Sequence, residues 1–143
     1  MEFCLIDSQS TYYPQVLDLR QRVLRAPLGL NLFDEDLAAE HDQYTLVARQ
    51  HEKIIACLML KMIEPSIIKL RQMAVDETQQ GKGIGSLLMG YAENFCKLNG
   101  YQLIELHARK SAIQFYIKLN YQLIGNEFEE VGVPHFRMEK RLA

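Results

Sequence analysis

The sequence predicts one α/β domain of the α+β type, a mixed central sheet of about seven strands flanked by helices. Three observations predict it. The chain has 143 residues, 48% of them apolar, which suits one core and leaves two independent cores near the lower limit of size. Seven β-rich segments occur, at residues 3–6, 44–49, 53–62, 67–75, 101–107, 121–124 and 136–142. A glycine-punctuated helix joins the fourth to the fifth, and such a crossover implies local parallel pairing, whereas the short links elsewhere imply antiparallel neighbours.

The elements follow in order. After the first strand, Ser10-Thr11 offers a helix cap and Pro14 suits a first turn. Val16, Leu19, Val23 and Leu24 recur at helical spacing, so a helix is expected to run to about Arg25, where Pro27 and Gly29 stop it. Residues 29–41 form a polar, acidic connection with room for a short helix. Gln50-His51-Glu52 reads as a hairpin turn and Glu64-Pro65-Ser66 as a second turn, giving three successive strands. The next helix sets Ile84, Leu87, Leu88, Tyr91 and Phe95 on one face and ends at Asn99-Gly100, a left-handed cap. A last amphipathic helix spans 111–119, with Ala112, Phe115, Tyr116 and Leu119 on one side and Asn120 closing it. No repeat or linker divides residues 1–143, so a single domain is expected.

The charge balance narrows the partners. The formal net charge is −2 with no long basic run, so nucleic acid is not expected. No apolar run is long enough to cross a bilayer. Met1 to Asp7 lack a basic stretch followed by an apolar one, so a cytoplasmic setting is expected. Cys4, Cys57 and Cys96 are odd in number, widely spaced and set among apolar neighbours. They read as small buried hydrophobes rather than a disulfide or metal framework, and no metal is expected.

The most informative stretch is Met73-Ala74-Val75-Asp76-Glu77-Thr78-Gln79-Gln80-Gly81-Lys82-Gly83-Ile84-Gly85-Ser86, where a strand ends and a helix begins. A helix N-terminus leaves backbone N–H groups unpaired and carries partial positive charge, which suits a pyrophosphate. Glycine admits close approach and positive φ; Lys82 adds a cation and Ser86 a hydroxyl. The spacing fits neither a Walker loop nor a dinucleotide fingerprint, whose third glycine is replaced by Ser86, and on spacing alone a glycine-rich turn that only joins strand to helix stays open.

Gln80-Gly81-Lys82-Gly83-Ile84-Gly85 resembles the Q/R-x-x-G-x-G/A signature of the GNAT N-acetyltransferase superfamily. Leu70-Arg71-Gln72-Met73-Ala74-Val75 looks like that family's fourth strand. Ala112-Ile113-Gln114-Phe115-Tyr116-Ile117-Lys118-Leu119-Asn120-Tyr121 resembles its A-x-x-F-Y-x-K-x-G-F segment, with Asn120-Tyr121 in place of Gly-Phe. The clear resemblance covers residues 67–121. The segment from Glu129 to Lys140 and the helix residues Leu19 to Leu24 are similar to a small bacterial acyltransferase subgroup.

The resemblance implies a sheet splayed between its fourth and fifth strands, with the pantetheine arm of acetyl-CoA in the gap. It implies backbone hydrogen bonds from Met73 and Val75 to that arm, and a donor near Ala74 for the thioester carbonyl. It gives the pyrophosphate to the amides of Gln80, Gly81, Lys82, Gly83, Ile84, Gly85 and Ser86. Tyr116 aligns with the family tyrosine beside the departing sulfur. An unidentified primary amine would attack directly in a ternary complex, and a homodimer is a family-level expectation.

Two departures matter. Relatives that carry an acidic base on the fourth strand have no counterpart here, where Lys69, Arg71 and Gln72 stand. Base candidates are therefore sought among Glu40, His41, His107, Glu129, Glu130 and His135, with His135 preferred for its intrinsic pKa, though loop carboxylates and histidines are ordinarily solvated and a water chain would also suffice. Arg109 occupies the place of a family Asn that contacts CoA, and is a candidate for a CoA phosphate. Asp34-Glu35-Asp36 and Glu40 would attract a cationic acceptor or form an ordinary surface loop. The alternatives to an N-acetyltransferase are a non-catalytic acyl-CoA-binding domain that keeps the cleft and, on spacing alone, a nucleotide-binding module.

Overall fold

The apolar segments pair into a seven-stranded sheet in the order β1-β2-β3-β4-β5-β7-β6. A computed structural model describes residues 1–142. The strands are β1 (Glu2–Ile6), β2 (Tyr44–Gln50), β3 (Lys53–Glu64), β4 (Ile67–Val75), β5 (Leu103–Arg109), β6 (Gln122–Glu130) and β7 (Val133–Arg141). The α-helices are α1 (Tyr13–Arg20), α2 (Ile84–Leu98) and α3 (Ile113–Lys118). The β4–β5 ladder is parallel, from Ile67↔Leu103 to Leu70↔Leu106, while β1–β2, β2–β3, β5–β7 and β6–β7 are antiparallel. The expected mixed sheet is what forms.

The chain divides into two compact units. The first comprises Met1–Lys61 and Gln72–Ala92. Its core joins Val16 and Leu19 of α1 to Val47, Ile54, Cys57 and Ala74, with Cys4, Ile6 and Tyr12 packed on them. The helix expected to reach Arg25 stays α-helical only to Arg20, then widens into a π-helical turn at Gln21–Arg25. The apolar spacing could not show this, because the widening serves polar groups. Arg20 and Arg25, five residues apart, both donate to the side-chain oxygen of Gln72, at 3.2 and 3.1 Å. The acidic connection folds as two 3₁₀ turns, Leu32–Asp34 and Leu37–Glu40.

The second unit comprises Met62–Arg71 and Glu93–Ala143. Its strand β5 alternates strictly: Ile104, Leu106 and Ala108 are buried, while Leu103, Glu105, His107 and Arg109 are half-buried on the other face. Residues 125–135, which no strand was expected to include, belong to the β6–β7 hairpin. It turns at Val131-Gly132, both in the left-handed region, and its register slips between Ile124 and Phe128. Gly125, Gly132 and Pro134 hide it as strand-breaking residues. Pro134 is tolerated because it pairs with Glu129 one position beyond the last β5–β7 pair, Arg109↔His135.

Candidate active site

The glycine loop lies in the first unit. Gly81 and Gly83 hold φ of +80° and +79°, and a side chain at either would meet nothing within 4 Å. The constraint there is conformational, since L-residues resist this region. Gly83 begins the helix by accepting from the Leu87 N–H at 3.1 Å. Lys82 and Ser86 are exposed, while Ile84 and Gly85 are buried. The loop therefore presents open backbone, a cation and a hydroxyl at the N-terminus of a 15-residue helix.

Asp76 anchors its approach. Its carboxylate accepts from the Thr78 N–H at 2.9 Å and hydroxyl at 2.7 Å, and its own N–H donates to the Ile55 carbonyl at 2.8 Å. Arg22 and Lys53 each lie 3.5 Å from it. The hydrogen bonds from Thr78, with smaller help from Lys53, outweigh burial and hold its pKa down at about 2. The Gln80 side chain then donates to the Val75 carbonyl at 3.0 Å.

Upstream, Gln72 sits at φ +58°, a left-handed residue inside β4. Arg20, wholly buried, binds both oxygens of Glu40 at 2.9 Å; Arg25 binds Glu35 at 2.6 Å. With both guanidinium groups on Gln72, this network fixes the bend just before Met73, Ala74 and Val75. Glu40 is correspondingly committed to Arg20 and is not a solvated base. Nor does Glu35 stand as a simple exposed charge.

Tyr116 lies in the second unit, on α3. It is buried, edge-on to Phe115 at 5.0 Å and to Tyr121 at 5.8 Å between ring centroids. Burial alone pushes its phenol up to about 12. The helix ends with Asn120 left-handed at φ +71°, its N–H on the Ile117 carbonyl and that of Tyr121 on the Tyr116 carbonyl.

His135 is not a solvated loop residue: its side chain is 4% exposed. Its Nδ1 lies 2.9 Å from the Val133 carbonyl and its Nε2 3.6 Å from Glu130 Oε2. His107 Nδ1 lies 2.9 Å from Glu130 Oε1. Phe128 walls the group, 5.0 Å from the His107 ring and 6.0 Å from that of His135. Burial would raise Glu130, but the His107 hydrogen bond, both histidines and Lys69 hold it below the usual range. Arg109 is half-buried opposite His135 in the ladder. Glu129 is exposed, and His41 is exposed with Nδ1 3.1 Å from the Ala38 carbonyl.

The structure thus brings Gly81 through Ser86 together with Met73, Ala74 and Val75 in one unit, and His135 with His107, Glu130 and Arg109 in the other. Sequence reading missed Asp76 and the Arg20–Gln72–Arg25 network. The Asp-x-Thr spacing of Asp76 and Thr78 is a side-chain turn signal that would have found the first. Among the described residues no cluster of three His, Cys, Asp or Glu side chains offers a metal site, and no helix is long and apolar enough to cross a membrane.

Comparison with known proteins places these features. Residues 27–142 match the acetyltransferase (GNAT) domain family. The uncharacterized protein YyaT of Bacillus subtilis strain 168 is 31% identical over 112 residues, 78% of this chain and 74% of YyaT. ElaA of Escherichia coli superposes with a TM-score of 0.83 at 20% identity, over 98% of this chain and 99% of ElaA. An aminoglycoside 6'-N-acetyltransferase complexed with coenzyme A superposes with a TM-score of 0.84 at 15% identity, over 100% of this chain and 98% of that one. The chain belongs to the GNAT acetyltransferase family, has the acyl-CoA N-acyltransferase fold, and its class of chemistry is acyl transfer.

Proposed function

We propose that the protein transfers the acetyl group of acetyl-CoA to a primary amine in the cytoplasm, by direct attack within a ternary complex. The observation that carries this reading is the open Gly81–Lys82–Gly83 backbone at the N-terminus of α2, in a chain of this family. The amides from Gln80 to Ser86 bind the pyrophosphate, and Lys82 adds its charge. Main-chain groups of Met73 and Val75 take the pantetheine arm, and an N–H near Ala74 stabilises the oxyanion. Arg109 takes a phosphate of the cofactor. The amine attacks the thioester carbon, the C–N bond forms, and the C–S bond breaks. Tyr116, protonated throughout the physiological range, donates to the departing sulfur. His135 belongs to the relay that removes the amine's proton.

Two measurements test the reading. Acetyl-CoA should raise the melting temperature, whereas NAD and ATP should not. A screen of primary amines should then release free CoA thiol. Binding of acetyl-CoA without any release, across small amines, amino acids, aminoglycosides and peptides, would favour a binding domain over an enzyme.

A further inference from the structure

Three side chains on neighbouring strands of the second unit, His107 on β5, Glu130 on β6 and His135 on β7, converge in one cluster. Their chemistry fixes where the protons sit. The Val133 carbonyl can only accept, so His135 Nδ1 carries hydrogen and donates to it. That bond fixes the His135 ring, with Nε2 3.6 Å from Glu130 Oε2. His107 differs. Its Nδ1 donates to Glu130 Oε1 at 2.9 Å, which leaves its own Nε2 as a free lone pair on a side chain 26% exposed.

We propose that His107 Nε2 takes the proton from the acceptor ammonium, with Glu130 as the carboxylate that positions it and His135 as the buried buttress of Glu130. The proposal rests on the acetyl-transfer reading above and names the base that reading leaves open. A carboxylate on Nδ1 selects the tautomer with Nε2 unprotonated and stabilises the imidazolium once it forms. In the first step an N–H bond of the ammonium breaks and an Nε2–H bond forms. The free amine then attacks the thioester. The second amine proton leaves as the amide forms, the sulfur receives one proton, and His107 returns its own to solvent.

The surroundings suit a base that must cycle. Lys69 on β4 adds positive charge beside Glu130, while Arg137, opposite His107, is paired with Glu105 at 3.8 Å and Glu139 at 3.5 Å. Lys69 opposes the Glu130 carboxylate, which would otherwise hold the imidazolium too firmly. Phe128 excludes water from one side of both rings. Glu40, the other carboxylate considered as a base, is taken up by Arg20.

The test uses the full chain, with acetyl-CoA and a panel of benzylamine, ethanolamine, lysine amide and spermidine, and reads CoA thiol release from pH 5.5 to 9. Wild-type kcat/KM for the amine should rise with pH along a limb set by loss of one proton from the base. His107→Gln should lower it by about 100-fold or more and remove that limb. Glu130→Gln keeps an oxygen acceptor but loses the charge, so the limb should move to lower pH by about one unit. Acetyl-CoA affinity by calorimetry should stay unchanged in both variants. Imidazole NMR gives an independent readout: the His107 titration midpoint should fall in Glu130→Gln. A folded His107→Gln variant with the wild-type limb overturns the proposal alone, as does a His107 midpoint unmoved in Glu130→Gln. A wild-type chain that binds no acetyl-CoA overturns the transfer reading, and the proposal with it.

Discussion

Tyr116 and Tyr121 are joined twice: the Tyr121 N–H donates to the Tyr116 carbonyl at 3.0 Å, and their rings meet edge to face at 5.8 Å. This is the apolar contact that accompanies a left-handed helix cap, here formed around Asn120. The ring of Tyr116 thus closes α3, while its hydroxyl is the group proposed to donate to the departing sulfur. Tyr116→Phe keeps the ring and removes only the hydroxyl. It should lower kcat by about 10- to 100-fold, because a thiolate is already a fair leaving group. Acetyl-CoA affinity and melting temperature should barely change. Wild-type kcat in the folded variant sinks the general-acid role.

The same burial makes a prediction about alkali. The phenol is raised from its ordinary 10 to about 12, so the folded state binds a proton that the unfolded state releases. The stabilisation is complete below pH 10 and is lost as pH rises from 10 toward 12. Stability of Tyr116→Phe should fall less steeply over that window, as denaturant titrations at stepped pH will show. Equal slopes would mean the phenol is not desolvated.

At Gly83 the backbone is left-handed, so Gly83→Ala should cost about 1–2 kcal/mol of strain while meeting no neighbour. Gly83→Asp adds a negative charge where the pyrophosphate is proposed to sit. Both variants should fold, and acetyl-CoA affinity should fall further in the aspartate variant. Calorimetry giving wild-type affinity for Gly83→Asp would remove this loop from the cofactor site.

How far these features could be read from sequence depended on range. All seven strands were legible, because each carries its own apolar pattern. The Asn99-Gly100 end of α2 was legible as well, since Gly100 at φ +85° is the signal itself. The full β6–β7 hairpin was not, because Gly125, Gly132 and Pro134 read as breakers when the pairing that tolerates them is out of view. Likewise Arg20 and Gln72 are 52 residues apart, and nothing local to either announces the other. In the candidate site, the glycine loop and Tyr116 were singled out through motifs. The individual members of the His107–Glu130–His135 cluster were noticed, but their meeting depends on strand register.

Arg20 is wholly buried and bonded to Glu40 and Gln72. Arg20→Ala should destabilise the fold by about 3–5 kcal/mol, since it leaves Glu40 without its charge partner in a mostly buried setting. Arg20→Ala combined with Glu40→Ala should cost less than the sum of the single changes. Additive losses would show that the pair is not coupled.

Asp76 holds its charge down to about pH 2, against an ordinary value of 3.8. Its depressed pKa means a contribution that is present above pH 4 and lost as pH falls toward 2. Asp76→Asn should destabilise the chain at pH 7 by about 0.5–2 kcal/mol, the range of a helix-cap loss, and by progressively less in acid. A difference between variant and wild type that stays constant from pH 7 to pH 2.5 would contradict this.

The β6 strand ends the sheet order and is exposed along most of its length. An open strand edge invites a second strand to zip on, with aggregation as the hazard. Here the edge carries Glu127, Glu129 and Glu130 within four residues and is kinked where its register slips. Glu127 is paired with Lys110 at 3.4 Å and Glu130 with His107 at 2.9 Å, so exposed Glu129 is the charge an approaching strand meets, and the kink denies it a straight template. The hairpin that supplies Glu130 to the histidines therefore also works as a guard rail. Its protection is electrostatic in part, so concentrated salt should weaken it, leaving the bend alone to keep neighbouring molecules apart.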